Sequence, residues 1–264
     1  MGIKKAEKWE PWEFENGKIK KSLPKEIVPT DAMSEEEESF RGFLLTLAMI
    51  FNDFKGLVLM NDTMQHVYKQ TGDEVSGHNG ELAGIRLQMI KILYATIHEA
   101  LVFLGESEQI CASKLFQQLV QKTSDGTQLV WEMLRKIANG QSTDDERFKE
   151  FEELREFLVK ARNNVGFHYQ TRKQLIAGFR RFFEKGITGM PETSRQWAYR
   201  STKSEFNQSR YYYADAALQG YYVNLFGDEK SNKERNDETF RLLNLIVYAI
   251  HDLLRQYYDA LPAH

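Results

Sequence analysis

Cysteine is almost missing from this sequence: Cys111 is the only one in 264 residues. One thiol cannot form an intramolecular disulfide or a multi-cysteine zinc site. No acidic or basic neighbour in sequence activates it, so it reads as a small buried apolar residue. Proline is scarce too, at positions 11, 24, 29, 191 and 262, with none between Thr30 and Met190. Gly-rich phosphate loops, GxGxxG and GxSxG are absent, which removes the common nucleotide and hydrolase signatures. The six histidines (66, 78, 98, 168, 251 and 264) show no metal-ligand spacing. His98-Glu99 has no second His four residues on, and no Glu-x-x-His pair of a di-metal bundle occurs. No metal and no cofactor is therefore expected. His66, His78 and His264 read as exposed loop or terminal residues.

Long apolar runs are also lacking. The strongest, Phe43 to Phe51, is interrupted by Thr46. It falls short of the roughly 20 residues that span a bilayer. The first residues, Met1 to Ala6, lead into no apolar stretch, and Ala6 stands where a myristoylation signal favours Ser or Thr. The expectation is a cytoplasmic protein without a membrane partner. The net charge of -3 excludes a globally basic nucleic-acid coat, but not a local basic patch.

What is present favours a helical core. The chain is 42% apolar and 12% aromatic. The proline-free stretch is rich in Leu, Glu, Lys, Gln and Ala, all good helix formers. Ser34 with Glu37 makes a capping-box pattern, and Glu35 to Glu38 suit the positive end of a helix dipole. That helix is predicted to reach about Met60, followed by a polar loop over 70–80. A second helix is expected from Glu81 to Leu104, with Leu82, Ile85, Met89, Ile92, Leu93, Ile97, Ala100 and Leu101 facing inward and Gly105 ending it. Shorter helices are expected at Ala112–Gln121 and Gln128–Ala138. A long one follows at Asp144–Tyr169, capped by Ser142 or Thr143. Further helices are expected at Lys173–Lys185, near 208–225 and at Asp237–Tyr258, with a turn at Gly189-Met190-Pro191. No strand alternation and no internal repeat is seen. The fold class is all-α: an irregular N-terminal arm (1–33), a helical bundle (34–186) and C-terminal helices packed on it (187–264).

One constellation carries chemistry: Arg162-Asn163-Asn164-Val165-Gly166-Phe167-His168. It resembles the signature of HEPN-domain proteins, an Arg followed by a polar residue with His a few residues on. The Asn directly after the Arg gives the match its selectivity, because Arg and His at such spacings recur by chance about once in a chain of this composition. The resemblance covers about residues 35–185. It implies an all-α bundle that dimerises so that two motifs face each other. It also implies metal-independent endoribonuclease activity, in a toxin–antitoxin or phage-defence setting with an antitoxin or defence partner.

The residue types suit that reaction. A 2′-OH can attack the adjacent phosphate without metal when His168 handles the proton and Arg162 stabilises the phosphorane. Asn163 or Asn164 can orient the Arg or the phosphate. On an ideal helix Arg162 and His168 stand roughly 240° apart, so a site needs a distorted helix near Gly166 or a dimer cleft. The bland alternative makes His168 a core residue and pairs Arg162 with an acid such as Glu156.

Supporting candidates are Asn52 and Asp53 on the first helix and Glu99 on the second. RNA contacts are expected from Arg172, Lys173, Arg180 and Arg181. Residues 160–210 hold 11 Lys and Arg against 3 Glu, a balance of +8, so the remainder carries -11. Trp197, Tyr199 and Tyr211 to Tyr213 add aromatics able to stack on bases. Two other functions fit the same sequence: a catalytically inactive helical interaction module, and a small-molecule-binding bundle with a pocket under Asn52, Glu99 and His168.

Overall fold

The computed structural model describes residues 14–15, 18–19, 34–68, 77–142, 145–163, 172–185, 211–226 and 232–260. The fold is all-α, as expected. Nine α-helices lie among the described residues: α1 (Glu35–Val67), α2 (Gly77–Glu106), α3 (Glu108–Cys111), α4 (Lys114–Val120), α5 (Asp125–Ala138), α6 (Glu150–Ala161), α7 (Arg172–Arg180), α8 (Tyr212–Phe226) and α9 (Asn232–Asp259). In the N-terminal arm, Phe14–Glu15 (β1) pairs antiparallel with Lys18–Ile19 (β2). The turn expected at Gly189-Met190-Pro191 lies outside the described residues.

Local chemistry sets most helix starts. The Ser34–Glu37 capping box forms in both directions. Ser113 caps α4 through Phe116 N, and Ser124 caps α5 through Thr127 N. After α5 the chain turns at Gly140, whose φ of 67° lies in the left-handed region that favours glycine.

Several boundaries differ from expectation, each for a physical reason. α1 runs past Met60 to Val67 because nothing in 61–67 breaks a helix. Thr63 Oγ1 even bonds back to Leu59 O at 2.8 Å. α9 starts at Asn232, five residues early. Its first turns are held by the buried Arg235–Glu238 pair (3.1 Å), which Glu153 of α6 approaches at 3.6 Å. The helix expected over 144–169 starts late, at Glu150, after a short 3-10 turn at Glu146–Phe148. Lys149, not Ser142, is its N-cap. Thr143 lies outside the described residues.

The core is built by α1, α2, α5, α6 and α9. Phe40, Phe43, Leu44, Leu47, Ile50 and Phe54 form the buried face of α1. Phe43, Phe103, Phe116 and Trp131 make a chain of ring contacts 5.3–5.7 Å apart that links α1, α2, α4 and α5. Tyr94 packs edge-on against Phe157 (4.9 Å) and Tyr222 (5.5 Å), joining α2 to α6 and α8. Cys111 is fully buried, and burial pushes its thiol up to about 12. Ile92, expected on the inner stripe of α2, is instead 41% exposed.

α8 packs on α2 and α6, and α7 packs on α8. Their crossing is glycine on glycine. A Cβ on Gly178 would stand 2.5 Å from Tyr221 N, and one on Gly220 would stand 2.8 Å from Gly178 C.

The start of α5 is tied to α9 by Asp252. Its carboxylate accepts from Ser124 N (3.2 Å), Ser124 Oγ (3.3 Å) and Thr127 Oγ1 (2.7 Å). Partial burial pushes this carboxyl up, but these hydrogen bonds outweigh it and hold it below the usual range. Its stabilising contribution is therefore present at neutral pH and lost as pH falls through the lowered value. Asp252→Ala is expected to cost about 2 kcal/mol, read as a fall in the urea midpoint at pH 7.

By length and composition alone, α1 and α2 are each long and apolar enough to cross a membrane. Core helices of soluble proteins meet the same measure, and both of these helices contribute buried faces to the core. α1 continues beyond the run Phe43 to Phe51 in both directions, so the apolar span is longer than the uninterrupted one.

Candidate functional site

Arg162 stands where α6 ends. Leu158 and Ala161 anchor the last turn in the core. The Arg162 N–H donates to both Leu158 O and Val159 O, and residues 162–163 continue as a π turn. Such turns re-aim side chains and occur often at functional sites. The helix thus departs from α geometry at Arg162 itself.

The guanidinium reaches across to α2. Its Nε donates to Glu99 Oε1 at 3.0 Å, and Nη1 donates to Asn163 Oδ1 at 3.1 Å. The Arg partner is therefore Glu99, 63 residues away, and not Glu156 of its own helix. Arg162 is about one-third exposed and Glu99 about half, so the pair lies at the surface. Nη2 has no hydrogen-bond partner among the described residues.

Next to Glu99 is a residue that sequence reasoning passed over. His98 Nδ1 lies 3.7 Å from Glu99 Oε1, too far for a hydrogen bond but close enough for charge to act. The ring is only 15% exposed, and Nδ1 is buried without a partner. Desolvation lowers its pKa from the ordinary value, opposed by Glu99 and reinforced by Arg162 and Arg155. His98 is thus a neutral imidazole beside two arginines at neutral pH. Its place one residue before Glu99, beside the buried Ile97, was the only available signal.

The sign of this shift gives a measurable result. The folded state disfavours the imidazolium, so acidification costs stability. The loss starts as pH falls through the ordinary histidine value near 6.5 and levels off below the folded value. The His98 ring is expected to titrate below 6.5 by NMR, and His98→Gln is expected to flatten the stability slope in that window.

The other expected residues divide. His168 and Asn164 lie outside the described residues, as do Gly166, Trp197 and Tyr199. Asn52 and Asp53 are exposed on α1 and make no hydrogen bond to the Arg162–Glu99 cluster. Lys173 and Arg180 are exposed on α7, and Arg181 is half-buried in the π turn Arg181–Lys185 that follows. The Arg172 side chain is not among the described ones. α7 is thus one layer out from the helices that carry Glu99 and Arg162, with α8 between. Tyr211 and Tyr213 at the start of α8 are 61% and 45% exposed, their rings 5.8 Å apart.

Among the described residues, no group of three or more His, Cys, Asp or Glu is placed to hold a metal. Two open clefts, of about 590 and 440 Å³, meet at Phe148 and are lined by α5, α6 and α9. Neither touches Asn52, Glu99 or Arg162. No family model, no curated protein and no solved structure matches the chain.

Proposed function

We propose that the chain is a HEPN-type, metal-independent endoribonuclease. It would act as a homodimer in the cytoplasm, within a toxin–antitoxin or phage-defence system that supplies a partner protein. The observation that carries this is the Arg162 fork. It is held on one side by Glu99 and on the other by Asn163, at a π turn, beside a neutral buried imidazole.

In this reaction the 2′-oxygen bonds to the adjacent phosphorus and the P–O5′ bond breaks. The products are a 2′,3′-cyclic phosphate and a 5′-hydroxyl. His168, named by the motif, takes the 2′-OH proton, and the departing 5′-oxygen takes up a proton from His168 of the second copy or from water. Arg162 stabilises the pentavalent oxyanion, with its orientation held by Glu99 and Asn163. Asn164 orients the phosphate. Lys173 and Arg180 on α7, Arg181 in the turn after it and the Arg172 that begins the helix attract the backbone, and Tyr211 and Tyr213 offer stacking surfaces.

The test is incubation of purified protein with structured RNAs in EDTA. Cleavage that leaves cyclic phosphate ends and disappears in folded His168→Ala supports the proposal. No cleavage of any RNA counts against it. It would favour instead a catalytically inactive helical module, in which the Arg162–Glu99 pair serves only to join α6 to α2.

A further inference from the structure

The exposed side of α1 is patterned like a contact surface. Its core face is Phe40, Phe43, Leu44, Leu47, Ile50 and Phe54. Directly opposite runs a stripe at alternating steps of three and four: Gly42, Leu45, Met49, Asn52, Gly56 and Leu59. Met49 is 57% exposed and Leu59 55%, with Met60 beside them at 53%. A Cβ at Gly42 or at Gly56 would meet nothing within 4 Å. Two empty glycine positions thus interrupt a row of larger side chains on one face. The seam repeats every seven residues, as interacting helix pairs require.

From this we infer that α1 is a self-association surface, on which a second copy of the chain packs its own α1 antiparallel. The register mirrors each residue about the middle of the helix, near Ile50 and Phe51. It places Leu45 over Gly56 of the second copy and Gly42 under its Leu59, so each large side chain fills a glycine gap. It sets the first turn of each helix, Glu35 to Glu38, beside residues 63–66 of the other. The register overlaps the helix along its whole length of about 50 Å. A parallel pair would set glycine against glycine and leave both gaps open. A lipid surface fits less well, because Asn52, Asp53 and Lys55 stand in the middle of the helix, where a bilayer penalises them most. Asn52 acquires a role here: a lone polar residue in an apolar seam fixes register at a cost in affinity. This seam is a different face from the motif-to-motif contact that the HEPN resemblance implies, since Arg162, Glu99 and His98 are not in it, and RNA cleavage tests the nuclease reading separately.

Light scattering on the full chain at about 50 µM should report a dimer, and Leu45→Glu should weaken it at least tenfold with helicity unchanged. Register is read with single cysteines in a Cys111→Ala background and a short bismaleimide. Met49→Cys is expected to cross-link to its own copy, while Leu45→Cys and Leu59→Cys are not. A monomeric wild-type chain would overturn the inference. So would a dimer indifferent to Leu45→Glu, or cross-linking at all three positions, the parallel result. Flotation of a monomeric chain with phosphatidylcholine–phosphatidylglycerol vesicles, lost in Leu45→Glu, would make the seam a lipid-binding face instead.

Discussion

Arg162→Ala is expected to lower RNA cleavage by about a hundredfold or more while leaving the fold almost as stable as before. The two halves of this expectation rest on different physics. An oxyanion stabiliser acts where charge develops in the transition state, and removing one such donor costs about 3 kcal/mol in rate. The same side chain contributes little to folding. Its ion pair with Glu99 is surface-exposed, and such pairs contribute about 0–1 kcal/mol. Arg162→Lys should recover only part of the rate, since an ammonium keeps the charge but loses the planar fork that Glu99 and Asn163 hold. Glu99→Gln should fall between, because it keeps a hydrogen-bond acceptor and removes the charge. Initial cleavage rates compared with urea midpoints read both quantities. A variant that loses stability in proportion to activity would assign Arg162 to architecture. Cleavage unchanged in folded Arg162→Ala would end the proposed mechanism.

Gly178→Ala should be among the most damaging single-methyl changes in the chain, at about 3 kcal/mol or more. Overpacking usually costs 1–3 kcal/mol because neighbouring side chains give way. Here the obstacles are Tyr221 N, at 2.5 Å, and the backbone of Ala217, which can yield only if the helices separate. Gly220→Ala meets the same obstacle from the other side. Separation would loosen α7 first, since it docks through α8. Limited proteolysis should then cut near α7, and RNA retention should fall with the loss of Lys173 and Arg180. Gly126→Ala is the matched control: its nearest neighbour would be Ser124 Oγ at 4.0 Å, an ordinary contact. There the added methyl should be neutral or slightly stabilising, because alanine is the better helix former. Equal midpoints for Gly178→Ala and Gly126→Ala would show that the crossing is looser than described.

The sequence alone determined the parts of this protein that depend on neighbours three or four residues apart. The Ser34–Glu37 capping box and the end of α5 at Ala138 are local, and both could be read from spacing. Motif logic marked Arg162 and Asn163, because the residue types carry their chemistry with them. Tertiary structure decided what depends on distant partners. Helical periodicity put Ile92 inward, yet among the described residues it stays 41% exposed. The early start of α9 needed a buried Arg235–Glu238 pair that no propensity announces. Arg162 took Glu99 rather than Glu156 because packing of α2 on α6 sets a carboxylate from far along the chain within reach. His98 became a neutral imidazole through burial and two nearby arginines, and only folding creates that environment. Periodicity states which side of a helix is apolar. Which surface meets it, and whether one does, is a property of the assembled bundle.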